Sequence, residues 1–181
     1  LAPISLYPDP LLANTLAACV YEDDFKAAAK FIAAGGKVDE NTQNDWDPSV
    51  KVIAAFPEVI KLLADNPQWA VAIGQAYLVQ GADVMAAVQT LRARAWDNGN
   101  LKSSPQMTVV TEGKYIIIEP AKPDVVYVPV YNPSVVYVDN SANAAAAGVI
   151  GFGLGIATGL ILANNLDCNW HGGCGGGGYG G

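Results

Sequence analysis

The side chains best suited to metal or redox chemistry lie together near the end of the printed sequence. Cys168, His171 and Cys174 fall within one glycine-rich stretch, and thiolate and imidazole groups are ligands for zinc and copper. A closed zinc site takes four ligands, whereas this stretch offers three. The six-residue spacing of Cys168 and Cys174 allows a disulfide in an oxidising compartment. We therefore predict this disulfide and no metal site, with unpaired or intermolecular cysteines as the remaining alternative.

Signatures of catalysis are sparse in the rest of the chain. The sequence has one histidine, and none of its serines lies in the Gly-x-Ser-x-Gly motif of a nucleophile elbow. Asp45 and Asp47 resemble a carboxylate pair, but Asp47 precedes Pro48 and is better explained as a helix N-cap. The glycines from Gly151 to Gly155 resemble a dinucleotide-binding loop without its preceding strand or its following acidic residue. The sequence predicts no catalytic or cofactor-binding residue, and an enzyme with an unrecognised site is the least favoured alternative.

Charge is unevenly distributed along the 181 residues. The formal net charge is −7, all ten basic residues lie at or before Asp124, and Asp139 and Asp167 are the only acidic residues after it. Binding of nucleic acid needs a basic face that neutralises phosphates, so this composition argues against a nucleic-acid partner. The sequence starts at Leu1 without a signal peptide, which is expected either of a cytosolic protein or of an exported one whose leader has been removed. The weakly charged, apolar second part and the glycine-rich tail favour the exported protein.

Residues 1–99 are predicted to form a helical domain, the first of the parts that position the residues discussed above. Proline, which is favoured in the first turn of a helix, stands at the start of several apolar runs. These runs begin near Pro8, Phe25, Asp47, Pro57 and Asn66. The last predicted helix follows a break at Gly81, begins at Asp83 and ends at Gly99. Its apolar stripe consists of Val84, Ala87, Val88, Leu91 and Ala95.

A small β region of three or four strands is predicted over residues 100–139. Thr108–Thr111 and Tyr115–Glu119 are rich in β-forming residues and flank a turn at Glu112-Gly113. Two copies of one short segment, Val-Val-Tyr-Val, follow these runs at Val125–Val128 and Val135–Val138. Pro129 cannot donate a ladder hydrogen bond, so the strand before it is predicted to lie at an edge or a bulge.

The two valine-tyrosine copies are candidates for contacts between subunits. An edge strand has unpaired main-chain groups that can pair with another copy. The candidate residues are Val126, Tyr127, Val136 and Tyr137. A small sheet that only covers the helical domain is the alternative, and the sequence leaves both open.

Residues 140–163 are predicted to form an apolar helix after a polar hinge. The twenty residues from Ala144 to Ala163 carry no charge. Small residues recur at every fourth position and would form a ridge that lets a second backbone approach closely. This ridge consists of Ala147, Gly151, Gly155, Gly159 and Ala163, with Gly148 beside it. The helix would cross a membrane, pack inside a homo-oligomer or polymer, or belong to the core of its own domain.

Several blocks of the sequence resemble the bacterial envelope proteins known as domain of unknown function family 3300. The blocks are LAPISLYPDPLLA at 1–13, WDPSVKVIAAFPEVIKLL at 46–63, DVMAAVQTLRARA at 83–95, GNLKSSPQ at 99–106 and VVYVPVYNP at 125–133. The resemblance implies an exported protein of Gram-negative-type bacteria, and it implies no reaction or catalytic residue. Many members have a long polar tail, whereas residues 164–181 of this chain form a short glycine-rich one.

Together these observations predict an α+β protein with four parts: a helical domain, a small β region, a glycine-ridged helix and a glycine-rich tail. The predicted function is structural self-assembly, as a filament, sheath or oligomeric lattice of the envelope or the extracellular surface. The alternative is a membrane-anchored periplasmic domain that acts in envelope maintenance. The expected partner is a second copy of the chain, with membrane lipid as a further candidate.

Overall fold

A computed structural model describes residues 1–39, 42, 44–138, 150–157 and 166–170, and these residues form an α+β fold, as predicted. The described helices are α1 (Asp9–Ala18), α2 (Glu22–Ala33), α3 (Pro48–Ala54), α4 (Pro57–Asp65), α5 (Pro67–Asp97) and α6 (Pro133–Val136). The described strands are β1 (Met107–Glu112), β2 (Tyr115–Pro120), β3 (Val125–Val126), β4 (Pro129–Val130), β5 (Gly151–Phe152) and β6 (Ile156–Ala157).

Proline and capping side chains set the helix starts, as the sequence predicts. The Asp47 carboxylate accepts a hydrogen bond of 2.8 Å from the backbone N–H of Ser49, and Pro48 occupies the first turn of α3. An N-cap of this kind satisfies one of the backbone donors that a helix start leaves unpaired. Pro57 and Pro67 begin α4 and α5 in the same position. These starts follow from local chemistry, so they were readable before the fold was known.

The longest helix, α5, consists of two helical stretches joined at a kink, where the sequence predicts two helices. Its 31 residues pass through a kink at Gln80, where φ is −141° and ψ is 47°. The non-helical residue Gln80 directly precedes Gly81, so the break lies within one residue of the predicted position. Beyond the kink, the stripe that faces the core contains Val84, Val88 and Ala95 together with Arg92.

Among the described residues, α5 is the one helix whose length and composition would allow it to cross a membrane. Its mean hydropathy is 1.3 over its most apolar 18 residues, of which 28% are buried. Its length and composition are compatible with a signal or anchor in an exported protein. In this fold α5 also packs against α1, α2, α4 and β2.

The predicted hairpin is confirmed in β1 and β2. The two strands pair antiparallel from Met107 opposite Pro120 to Glu112 opposite Tyr115. Gly113 has a φ of 61°, a conformation that glycine adopts without strain and that the tight turn requires. The hairpin carries Ile116 and Ile118 into the core.

The prediction of a strand at Val135–Val138 is wrong, because the helix α6 occupies Pro133–Val136. The side chain of Asn132 accepts a hydrogen bond of 2.9 Å from the N–H of Ser134, and Pro133 fits the first turn. This is the capping arrangement found at Asp47-Pro48. A good local cap outweighed the strand preference of the valines that follow.

The prediction of a helix over residues 140–163 is wrong for residues 150–157. These residues run back beside Val125–Val130 as a strand. We call residues 150–157 the return strand. Its β5 pairs antiparallel with β4, and its β6 pairs antiparallel with β3. Between these pairs, the three residues Gly153–Gly155 face the two residues Tyr127 and Val128, which makes a one-residue bulge.

Glycine suits this bulge because its own chain lies close against it. A Cβ atom at Gly155 would lie 2.5 Å from Val125 Cγ1 and 2.7 Å from the ring of Tyr127. The close approach that the small residues permit is therefore made within one chain at this position. The other members of the predicted ridge, Ala147, Gly148, Gly159 and Ala163, lie outside the described residues.

Among the described residues, two hydrophobic clusters hold the elements together. One joins α1–α5 with Val126, Val128 and Trp170. The other joins Leu6 and Ala95 with the β1–β2 hairpin and α6. The predicted boundary between residues 99 and 100 thus runs through a shared core, because the hairpin packs on residues of the helical part.

Candidate binding site

A buried ion pair lies where α1, α5 and the hairpin meet. The Nη1 atom of Arg92 is 2.7 Å from the Oδ1 atom of Asp9, and the two side chains are 0% and 5% exposed. Arg92 projects from the apolar stripe of α5, four residues after Val88. Asp9 lies in the first turn of α1, where the positive end of the helix favours a carboxylate.

Arg92 also binds backbone carbonyls from two other parts of the chain. Its guanidinium donates to Ser5 O at 2.8 Å, to Tyr7 O at 2.9 Å and to Ile116 O at 2.8 Å. Neighbouring Gln89 exchanges two hydrogen bonds with the backbone of Ile116. The cation is thus fixed by acceptors of the N-terminal segment and β2 in addition to Asp9.

The remaining face of the ion pair is covered by Trp170. We call residues 166–170 the tryptophan segment. The indole Nε1–H of Trp170 donates to Asp9 Oδ2 at 2.5 Å, and the Arg92 guanidinium lies 4.9 Å from the ring centroid. The ring also stacks on Tyr115 at 6.5 Å between centroids, with an interplanar angle of 29°. Trp170 is 7% exposed.

The electrostatics of Asp9 reflect this enclosure. Burial raises the pKa of the Asp9 carboxyl, and the Arg92 charge and the Trp170 hydrogen bond oppose this rise. The backbone N–H of Ile118 is a further donor, 3.4 Å from Asp9 Oδ1. This carboxylate is suited to accepting hydrogen bonds from fixed donors, which is the chemistry of recognition.

Two clefts border the tryptophan segment. One, of about 370 Å³, is lined by Met85, Gln89, Lys114 and Tyr115 as well as Trp170. The other, of about 440 Å³, is lined by Asp9, Glu119, Pro123 and Asp167 as well as Trp170. Trp170 thus lines both clefts, and Asp167 and Cys168 line the second one as well.

A second polar cluster fixes the start of the chain. The hydroxyls of Tyr131 and Tyr137 each donate to Ala2 O, at 2.9 and 2.8 Å, and Ser5 Oγ lies 2.7 Å from the Tyr137 hydroxyl. Burial raises the pKa of both tyrosines, so they remain neutral donors at physiological pH. The cluster holds the N-terminal segment beside α6 and thereby positions Ser5 and Tyr7 for Arg92.

The described residues of the predicted self-association set contact their own chain. Val126 and Val136 are buried in the two clusters, and Tyr137 forms the hydrogen bonds just described. Tyr127 lies edge-on to Phe152 of the return strand. Gly151 and Gly155 belong to the return strand itself.

Of the three residues considered for a disulfide or a metal site, the structure describes Cys168. Cys168 Sγ lies 3.5 Å from the backbone carbonyl of Asp9. Cys174 and His171 lie outside the described residues, so the disulfide stays a prediction. Within the part of the chain that the structure describes, no three His, Cys, Asp or Glu residues form a metal-binding group. Burial raises the pKa of the Cys19 thiol to about 12, which keeps it protonated and unreactive.

Sequence reasoning missed Asp9, Arg92 and Trp170 as members of one site. The signal for Arg92 was present, since a charged residue falls on the apolar stripe of α5 between Val88 and Ala95. A charge at such a position implies a buried partner. No local pattern points to Asp9 as that partner or to Trp170 as the group that covers it.

Comparisons with known proteins agree with the sequence blocks. A family model described as "Protein of unknown function (DUF3300)" matches residues 1–150. The chain is also similar to the uncharacterized protein YacH of Escherichia coli (strain K12), with 33% identity over 92% of this chain and 36% of that protein. The chain thus spans about a third of the length of this curated relative. No solved structure matches it.

Proposed function

The chain belongs to the DUF3300 family of proteins of unknown function, and we propose that it is a structural protein that associates with copies of itself. In this proposal it acts by assembly and not by catalysis. The contact between copies is made by the return strand and the tryptophan segment, which dock on a second copy as they dock on their own chain. This mode of contact takes the place of the packing between glycine-ridged helices that the sequence predicts.

The observation that carries the proposal is the way in which the return strand is bound. It adds to the edge at Val125–Val130 through main-chain hydrogen bonds, including one of 3.2 Å from Gly153 N to Val128 O. Strand addition of this kind is a recurrent mode of binding between proteins, because an edge pairs with any suitable extended segment. The same edge can therefore accept the return strand of a neighbour.

The order of the sequence supports an exchange between copies. The acceptor groups Asp9, Arg92 and Val125–Val130 all lie within residues 1–150, which the family model matches, whereas Trp170 lies beyond them. A polar stretch at Asn140–Asn143, followed by alanines, links the acceptor to the return strand in sequence. Exchange of an identical element between protomers makes the same contacts in both forms, so it requires no new surface.

Cysteine pairs at Val130 and Gly151 test this proposal. These residues are directly opposite each other, Val130 is 55% exposed, and Gly151 has room for a Cβ atom. In a background with Cys168→Ser and Cys174→Ser, Val130→Cys and Gly151→Cys chains are unfolded and refolded together, then oxidised. We expect a disulfide-linked dimer of the two different chains on a non-reducing gel.

The matched control replaces Gly151→Cys with Val138→Cys, which is exposed but does not face Val130. This mixture is expected to give no cross-linked dimer. The proposal is contradicted if the Val130→Cys and Gly151→Cys mixture also gives none, while the two cysteines in one chain form an internal disulfide. Monomeric mass of the unmodified chain at all concentrations in light scattering would contradict it independently.

The length and composition of α5 favour a second candidate, a membrane-anchored periplasmic domain that acts in envelope maintenance. Both candidates place the protein outside the cytoplasm, in the periplasm, the outer envelope or at the extracellular surface. Fractionation of cells that express a tagged full-length protein tests this location. We expect the tag in envelope or periplasmic fractions as large, detergent-independent particles. Detergent-dependent monomers would favour the anchor, and a cytosolic tag would contradict export.

A further inference from the structure

We propose that the Asp9–Arg92 site is an indole-binding site that recognises a tryptophan side chain, and that Trp170 is its exchangeable occupant. The inference rests on the proposed function in treating the tryptophan segment as an element that a second copy can supply. It deepens that function by naming the chemistry that the acceptor recognises.

Three contacts select an indole ring. The Asp9 carboxylate accepts the Nε1–H, the Arg92 guanidinium lies over the ring face, and Tyr115 stacks on the ring. A phenylalanine has no donor for the carboxylate, whereas indole combines a donor with the electron-rich face that attracts a cation most strongly. The site thus matches each chemical feature of tryptophan.

The site is built independently of its occupant. Arg92 is held by Ser5 O, Tyr7 O and Ile116 O, and none of these acceptors belongs to the tryptophan segment. Asp9 lies in α1 and uses different atoms for its two contacts, since Oδ1 lies against Arg92 Nη1 and Oδ2 accepts the indole N–H. A recognition site whose groups are already in place binds without the free-energy penalty of ordering them.

The surroundings of Trp170 also differ from those of an ordinary core residue. Protein interiors are close-packed, with few voids larger than a water molecule. Trp170 instead lines two clefts, of about 370 and 440 Å³.

Rescue of Trp170→Ala by free indole tests the inference in the full-length chain. The variant leaves a cavity of indole shape beside Asp9 and Arg92, and a buried cavity of this kind can bind a small aromatic ligand. We expect indole to raise the melting temperature of Trp170→Ala and to bind it in calorimetry, with no effect on the wild-type chain, whose site is occupied. Benzothiophene has the same shape without the N–H and should bind at least about tenfold more weakly, because Asp9 Oδ2 then lacks the indole donor.

Trp96→Ala is the matched control, since it removes a tryptophan that is 41% exposed from the same chain. Indole should not stabilise this variant. Equal binding of indole and benzothiophene, or no binding of either to Trp170→Ala, would overturn the inference. A Trp170→Ala chain that stays unfolded with both compounds would also overturn it, because the site would then require its own tryptophan.

The two proposals fail separately. Indole binding without a cross-linked dimer of the Val130→Cys and Gly151→Cys chains would retain the site and remove the exchange between copies. A cross-linked dimer without indole binding would retain the exchange through the return strand and remove the role of tryptophan as its anchor.

Discussion

Replacing Arg92 with leucine is expected to lower the free energy of unfolding by about 3–5 kcal/mol, the usual effect of breaking a buried ion pair. Leucine leaves the Asp9 carboxylate buried without its countercharge. It also removes the hydrogen bonds that Arg92 donates to Ser5 O, Tyr7 O and Ile116 O, of which Ile116 O keeps a second donor in Gln89. Buried acceptors that lose their partner retain the full cost of their desolvation. Urea denaturation followed by circular dichroism measures the effect.

Arg94→Leu is the control for this prediction, because it makes the same change in the same helix at an exposed position. It should change the free energy of unfolding by at most about 1 kcal/mol, as surface charges near a helix end do. Adding Asp9→Asn to Arg92→Leu should restore part of the loss, since the unpaired buried charge is removed. An Arg92→Leu chain as stable as Arg94→Leu would show that the ion pair does not hold these elements together.

Replacing Gly74 with alanine is expected to destabilise the fold although alanine is the better helix former. A Cβ atom at Gly74 would overlap the backbone carbonyl of Cys19, where α5 crosses the end of α1. Backbone cannot rotate away as a flexible side chain can, so the two helices must separate. Overpacking of this kind costs about 1–3 kcal/mol, which exceeds the gain of about 1 kcal/mol in helix propensity.

Gly81→Ala provides the comparison within α5. The nearest atom to its added Cβ would be Tyr77 Cδ2 at 3.9 Å, an ordinary contact. We expect this variant to have unchanged stability or to gain up to about 1 kcal/mol from helix propensity. Thermal melts of both variants by circular dichroism distinguish the cases. Equal melting temperatures would mean that α1 and α5 do not depend on the close approach at Gly74.

The structure gives the described residues of the predicted self-association ridge a different local conformation from the one that the sequence predicts. The sequence places self-association on small residues of an apolar helix, but Gly151 and Gly155 lie in a strand that pairs with Val125–Val130. Twenty uncharged residues with regular glycines are compatible with a helix ridge and with a bulged strand. The partner edge decides between them, because a strand needs a neighbour for its main-chain groups and a helix does not.

The sequence by itself determined the features that depend on neighbouring residues. Prolines and caps fixed the starts of α3, α4 and α5, and Gly113 fixed the turn of the β1–β2 hairpin. Each of these depends on a few adjacent backbone groups whose hydrogen bonds close locally. The α6 helix shows the limit of such patterns, since valines of high strand preference follow an Asn-Pro cap.

Only the tertiary structure decided the binding site and its occupant. Trp170 is 161 positions from Asp9, and Arg92 meets Ser5 O across 87 positions. A buried charge requires some partner, but the sequence does not say which of many carboxylates will be close to it. That choice follows from the packing of α1 on α5 and of the hairpin on both, which brings one carboxylate, one guanidinium and one indole into a single enclosed space.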